Sequence, residues 1–169
     1  RIPGLAHLES PEPAWDGCEL WVAHVDEAGT LDEPVKVAGG PTESICQPEW
    51  SPDGVLHFVS DRTDWWNLYR WRAGQVEALC PMAAEFGQPA WQFRISNYGF
   101  AEGGRIVCAY TQDGLGQIGL LEPGAGALRR VEGPFSIFGS LRVAGARALM
   151  VVIDSPGGTV TGCFELADK

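Results

Sequence analysis

A serine hydrolase needs a nucleophile raised on a sharp turn between glycines, with a histidine base and a carboxylate in reach. Ser96, Ser136, Ser140 and Ser155 all lack the paired glycines of a G-x-S-x-G elbow. None of His7, His24 and His57 has a suitable serine and carboxylate context. The chain also has five cysteines, Cys18, Cys46, Cys80, Cys108 and Cys163. Their number is odd, no two form a C-x-x-C pair, and no histidine stands at ligand spacing from them, so a zinc centre is not expected. Most sit among apolar neighbours, as in Ile106-Val107-Cys108-Ala109. That context reads as buried, reduced thiols of a cytoplasmic protein. We therefore expect no catalytic residue, metal or cofactor in this chain.

Charge and hydropathy narrow the partners. The formal net charge is −10, whereas phosphate backbones need clustered Lys and Arg. The nearest approach to a basic cluster is Arg129-Arg130, which reads as a solvated edge strand, so nucleic acid is not an expected partner. No stretch approaches the roughly 18 apolar residues of a membrane span.

The elements that would carry any site are strands. Glycine and proline number 22 and 12 in 169 residues, a density that argues against long helices. Residues 47–50 read as a strand, and Ser51-Pro52-Asp53-Gly54 as a type I turn with Pro second and Gly last. Strands at 55–60, 65–71 and 75–79 complete a four-stranded antiparallel meander. The pattern repeats at 90–100, 105–111, 117–122 and 128–132. It begins again at 136–143, 148–154 and 159–166, and 19–25 with 34–38 read as the last two strands of a preceding unit. The third strands recur every 46 to 50 residues or so, near the period of propeller blades. Second strands such as Val55-Leu56-His57-Phe58-Val59 are apolar on both faces. With no helices to cover them, stacked blades are the solution. The expected fold is an all-β propeller portion of four-stranded antiparallel blades, one partial domain over 1–169. Its units are a partial blade at 15–40, whole blades at 45–81 and 88–133, and a three-stranded blade at 135–167.

Trp50-Ser51-Pro52-Asp53-Gly54, followed by Leu56-His57-Phe58-Val59-Ser60-Asp61-Arg62, resembles a blade motif of prolyl oligopeptidase-family serine peptidases and of TolB-like proteins. Trp65-Trp66-Asn67-Leu68-Tyr69-Arg70 and Ala84-Glu85-Phe86-Gly87-Gln88-Pro89-Ala90-Trp91 are similar to segments of acylaminoacyl-peptidase-like and dipeptidyl-peptidase-like enzymes. Asp64 departs from the pattern, which often has Gly before the Trp. The resemblance implies a parent with an α/β-hydrolase domain that carries the triad. The propeller would then cover the hydrolase site and restrict or orient peptide substrates. The alternative is a TolB-like or WD-repeat-like interaction propeller with no attached enzyme.

Under the first reading the substrate-facing candidates are Glu85, Trp65, Trp66 and Arg62. Glu85 lies between blades, where a carboxylate would meet a peptide ammonium. Trp65 and Trp66, taken as one strand, would point to opposite faces. Arg62 with Asp61 reads first as a turn device. Trp50 and Trp91 begin successive units and read as interblade packing, and Ser51, Pro52, Asp53 and Gly54 as turn chemistry. The expected partners are the remaining blades, the hydrolase domain and, in the parent, a peptide. The isolated chain is expected to form a homo-oligomer through uncovered blade faces and strand edges.

Overall fold

A computed structural model of the chain describes residues 5–9, 16–88, 95–132, 138–154 and 158–165. They form four antiparallel sheets and no α-helix. The first sheet is β1 (Leu5–Glu9), β2 (Cys18–Ala23) and β3 (Val35–Gly40). The second is β4 (Ile45–Trp50), β5 (Leu56–Ser60), β6 (Asn67–Arg72) and β7 (Gln75–Ala78). The third is β8 (Tyr98–Phe100), β9 (Ile106–Gln112), β10 (Leu115–Glu122) and β11 (Ala127–Val131). The fourth is β12 (Phe138–Ala144), β13 (Arg147–Asp154) and β14 (Gly158–Glu165). Each is a simple meander in chain order, as expected of propeller blades.

Turn chemistry sets these meanders. Ala73-Gly74 and Asp113-Gly114 carry positive φ at both residues, the two-residue hairpin geometry that suits strand twist. At Ser51-Pro52-Asp53-Gly54 the Gly54 N–H donates to the Ser51 carbonyl at 2.9 Å. The Ser51 hydroxyl donates to Asp53 Oδ1 at 2.6 Å, which holds the Asp53 carboxyl below its ordinary range. Gly54 takes φ +80°, so the expected turn is present and ends in a left-handed residue.

Burial follows from stacking sheet on sheet. Every residue of β5 is buried, while the outer β7 and β11 are mostly exposed or half-buried. Three apolar clusters each join two successive sheets. Leu20, Ile45, Leu56, Phe58 and Tyr69 join the first and second. Val59, Leu68, Phe86, Tyr98, Ile106 and Cys108 join the second and third. Val107, Ile118, Leu120 and Leu141 join the third and fourth. The alternation along β9 is plain: Ile106 and Cys108 face the second blade, Val107 the fourth.

Three details differ from the sequence reading. The first sheet has a third strand, β1, paired with β2 from Leu5↔Ala23 to Glu9↔Glu19; its short run ahead of Pro11 and Pro13 carries little alternation. Trp65 and Trp66 precede β6 instead of opening it. The first strand of the third blade is described only from Tyr98, and Trp91 lies outside the described residues.

Candidate functional site

Antiparallel order places two sets of loops at opposite ends of each blade. The β5–β6 turn and the connection from β7 to β8 share one end, which gathers Arg62, Trp65, Trp66 and Glu85. Asp61 opens this turn. Its Oδ1 accepts the Ser44 N–H at 2.7 Å, and its carbonyl accepts the Asp64 N–H at 2.8 Å. Asp64 sits at φ +65°, the left-handed region where glycine is favoured.

The four candidates meet different fates. Arg62 pairs with Glu43 through Nη2 at 2.8 Å and Nε at 3.0 Å, and its guanidinium lies 5.2 Å from the Tyr69 ring centroid. Its charge is thus engaged by Glu43, with Asp61 serving the turn. Trp66 and Glu85 are brought together: Glu85 Oε2 accepts the Trp66 N–H at 2.9 Å, and Phe86 N–H donates to the Trp66 carbonyl at 2.6 Å. The Glu85 backbone also bridges to Thr111 of the third blade in both directions, at 2.8 and 2.9 Å. Glu85 is therefore an interblade fastener with a half-buried carboxylate. Trp66 packs on the second interblade cluster, while Trp65 is 41% exposed. One tryptophan is inward and one outward, but the turn rather than strand alternation directs them. Buried Asn67 pins the connection, donating to the Met82 carbonyl at 3.1 Å and accepting the Met82 N–H at 3.0 Å.

A second constellation lies on the innermost strands and escaped the sequence reading. The β4–β5 register shifts between Cys46 and Glu49, and Gln47 in that bulge takes φ +48°. Its side-chain amide donates to Glu49 Oε1 at 3.0 Å, Ser96 Oγ at 3.0 Å and the Tyr98 carbonyl at 2.8 Å. Its Oε1 accepts the Asn97 N–H at 2.7 Å. Ser96 continues the link, its carbonyl accepting the Leu141 N–H at 2.7 Å. The groove here, about 650 Å³, is lined by Glu49, Trp50, Tyr98, Phe100 and Arg142 among others. Burial raises the Glu49 carboxyl, opposed by its bond from Gln47 and by the Arg142 charge. Trp50 packs against the first interblade cluster, and its indole Nε1 is buried without a partner among the described residues. The available sequence signal was Pro48 inside a strand, which calls for a bulge or an edge.

The cysteines are free at Cys18, Cys46, Cys80 and Cys108. Burial pushes the Cys46 thiol up to about 12 and raises the others as well, so none is poised as a nucleophile. Among the described residues no cluster of metal-ligating side chains occurs, and no helix is long and apolar enough to cross a membrane.

The sequence matches no family model and no curated protein. Solved structures do match. A puromycin hydrolase shares 33% identity over 92% of this chain, with TM-score 0.83. A puromycin-hydrolyzing peptidase of Mycobacterium tuberculosis shares 27% over 97%, with TM-score 0.88. Prolyl oligopeptidase B of Galerina marginata, at 14% identity and TM-score 0.68 over 91% of the chain, shares the fold. The chain spans only 24%, 25% and 22% of these proteins, respectively. The stacked four-stranded blades and these likenesses identify the chain as a stretch of β-propeller of the prolyl oligopeptidase family of peptidases.

Proposed function

We propose that this stretch of propeller covers the site of a serine hydrolase domain in the longer protein, restricting and orienting peptide substrates there. The observation that carries the reading is the 33% identity to a puromycin hydrolase over 92% of the chain. The end bearing Trp65 and Glu85 supplies a surface for the role. Trp65 is an exposed aromatic, and Glu85 holds Trp66 against the blade. The chemistry belongs to the hydrolase domain, and this chain supplies shape and charge. Free cysteines at Cys18, Cys46, Cys80 and Cys108 suit a reducing, cytoplasmic compartment, and uncovered blade faces favour self-association of the isolated chain.

The test uses the longer protein. Its sequence is expected to contain a G-x-S-x-G elbow outside these residues. Trp65→Ala in that protein is expected to alter kcat/KM for puromycin and for peptides of different lengths unequally, with the melting temperature unchanged. Absence of an elbow, or a Trp65→Ala variant whose kcat/KM is unchanged or changed by the same factor for every substrate, overturns the reading.

A further inference from the structure

Four side chains form one register row across the second blade. Glu49 stands opposite His57, His57 opposite Arg70, and Arg70 opposite Glu77. Directly opposed residues of antiparallel strands project on the same face. His57 meets Phe100 of the third blade with ring centroids 5.0 Å apart at 67°, so the row faces the seam between these blades. Toward the connection end, Val59, Leu68, Phe86 and Tyr98 close that seam. At the row it opens instead into a cleft of about 570 Å³, lined by Asp53, His57, Arg70, Arg72, Phe100 and Glu102 among others.

The imidazole is held tightly. His57 is 5% exposed, and its Nδ1 lies 3.0 Å from the Val55 carbonyl. A carbonyl only accepts, so Nδ1 carries the proton and Nε2 the lone pair of the neutral ring. A second proton would place a cation against Phe100 and beside Arg70, whose guanidinium is already bonded to Glu77 at 2.7 Å.

We propose that the seam between the second and third blades is an acid-sensitive joint: charging His57 loosens the cleft half of the seam while the apolar half keeps the blades together.

The charged neighbours support this. From β6, Arg70 and Arg72 bring like charge. Glu77 of β7 is committed to Arg70. In the turn, Asp53 is bonded by the Ser51 hydroxyl, and Glu102 comes from the third blade. Glu49 on β4 is the carboxyl across the strand, but it is bonded to Gln47 and burial moves it toward neutrality. Burial likewise lowers the affinity of His57 for its proton, with Arg70 adding to it and the Val55 bond and Asp53 opposing. The unfolded chain protonates His57 near pH 6.5 or so. The stabilisation is therefore intact above that pH and is lost as pH falls from there through the lower folded value.

The experiment follows the His57 ring by NMR in the unaltered chain from pH 8 to 4. It also follows amide exchange, corrected for intrinsic rates. The expected midpoint lies below that of an unfolded histidine. For each pH unit of depression, protection at Ser51 and Ala101 beside the cleft falls about tenfold, while Leu79 and Ala109 in the apolar half keep theirs. A midpoint at or above the ordinary value, or equal loss along both halves, overturns the proposal. His57→Gln is expected to remove the acid-dependent loss between pH 7 and 5, and a loss that persists in it overturns the proposal too. The ring titration requires no variant, so it decides the matter even if His57→Gln does not fold.

Discussion

Gln47 and Tyr98 bind each other twice across two blades. The Tyr98 hydroxyl donates to the Gln47 carbonyl at 2.7 Å, and the Gln47 side-chain amide donates to the Tyr98 carbonyl at 2.8 Å. Tyr98 is 1% exposed, so both bonds act with little competition from water. The left-handed backbone at Gln47 costs free energy, and this reciprocal pair offsets it.

Two substitutions separate those contributions. Gln47→Ala keeps the left-handed backbone and loses the side-chain bonds, leaving buried partners unsatisfied. A loss of about 1–3 kcal/mol is expected. Gln47→Gly loses the same bonds but relieves the backbone, so it should be less damaging by about 1 kcal/mol. Urea melts of the two variants and the parent measure this. A glycine variant less stable than the alanine variant would contradict a strained Gln47.

At the Ser51–Gly54 turn, Gly54→Val should lose about 1–2 kcal/mol, because φ +80° suits a β-branched residue poorly. Asp53→Asn should be better tolerated, since an amide oxygen still accepts the Ser51 hydroxyl. Thermal melts at pH 7 compare them, and equal melting temperatures would contradict the turn geometry.

Asp64 offers the opposite case. It occupies φ +65° just before the two tryptophans, where related motifs often carry Gly. Asp64→Gly is expected to be neutral or to stabilise by up to about 1 kcal/mol, and Asp64→Val to destabilise. A glycine variant that melts well below the parent would show that the Asp64 side chain contributes more than its backbone costs.

The legible parts of this sequence were those written in local chemistry. Asp113-Gly114 and Ser51-Pro52-Asp53-Gly54 announce their turns, and the doubly apolar β5 announces stacked sheets. The family resemblance rests on the turn and strand at 50–62 and on the segments 65–70 and 84–91. What stayed hidden depends on register between distant segments. Nothing local says that Glu85 would cap the Trp66 N–H, that Arg62 would choose Glu43 over its neighbour Asp61, or that Glu49, His57, Arg70 and Glu77 would share one row. Gln47 reads as an ordinary strand residue until the bulge at Pro48 turns it toward Ser96 and Tyr98. Trp65 and Trp66 were assigned their faces by strand alternation, yet the turn closed by Asp61 and Asp64 orients them.

The last prediction concerns the isolated polypeptide. Its first sheet ends on β1 and its fourth on β14, each hydrogen-bonded on one side among the described residues. Such edges template pairing with another chain. Each terminal sheet also stacks on a neighbour at one face, through the first and third interblade clusters. In a propeller both faces of every blade are covered, so the isolated chain is expected to leave the other faces of these two sheets without a neighbouring blade. A second copy can cover them by stacking blade on blade. The 169-residue polypeptide should therefore run as a dimer or larger species at micromolar concentration. Association through apolar blade-on-blade contact would survive salt that screens surface charge, whereas association through the Glu19–Lys36 pair on the open face of the first sheet would not. Light scattering at two salt concentrations, with an apolar dye as a second reading, tests it. A clean monomer that binds no dye would mean that these faces are already covered within one chain.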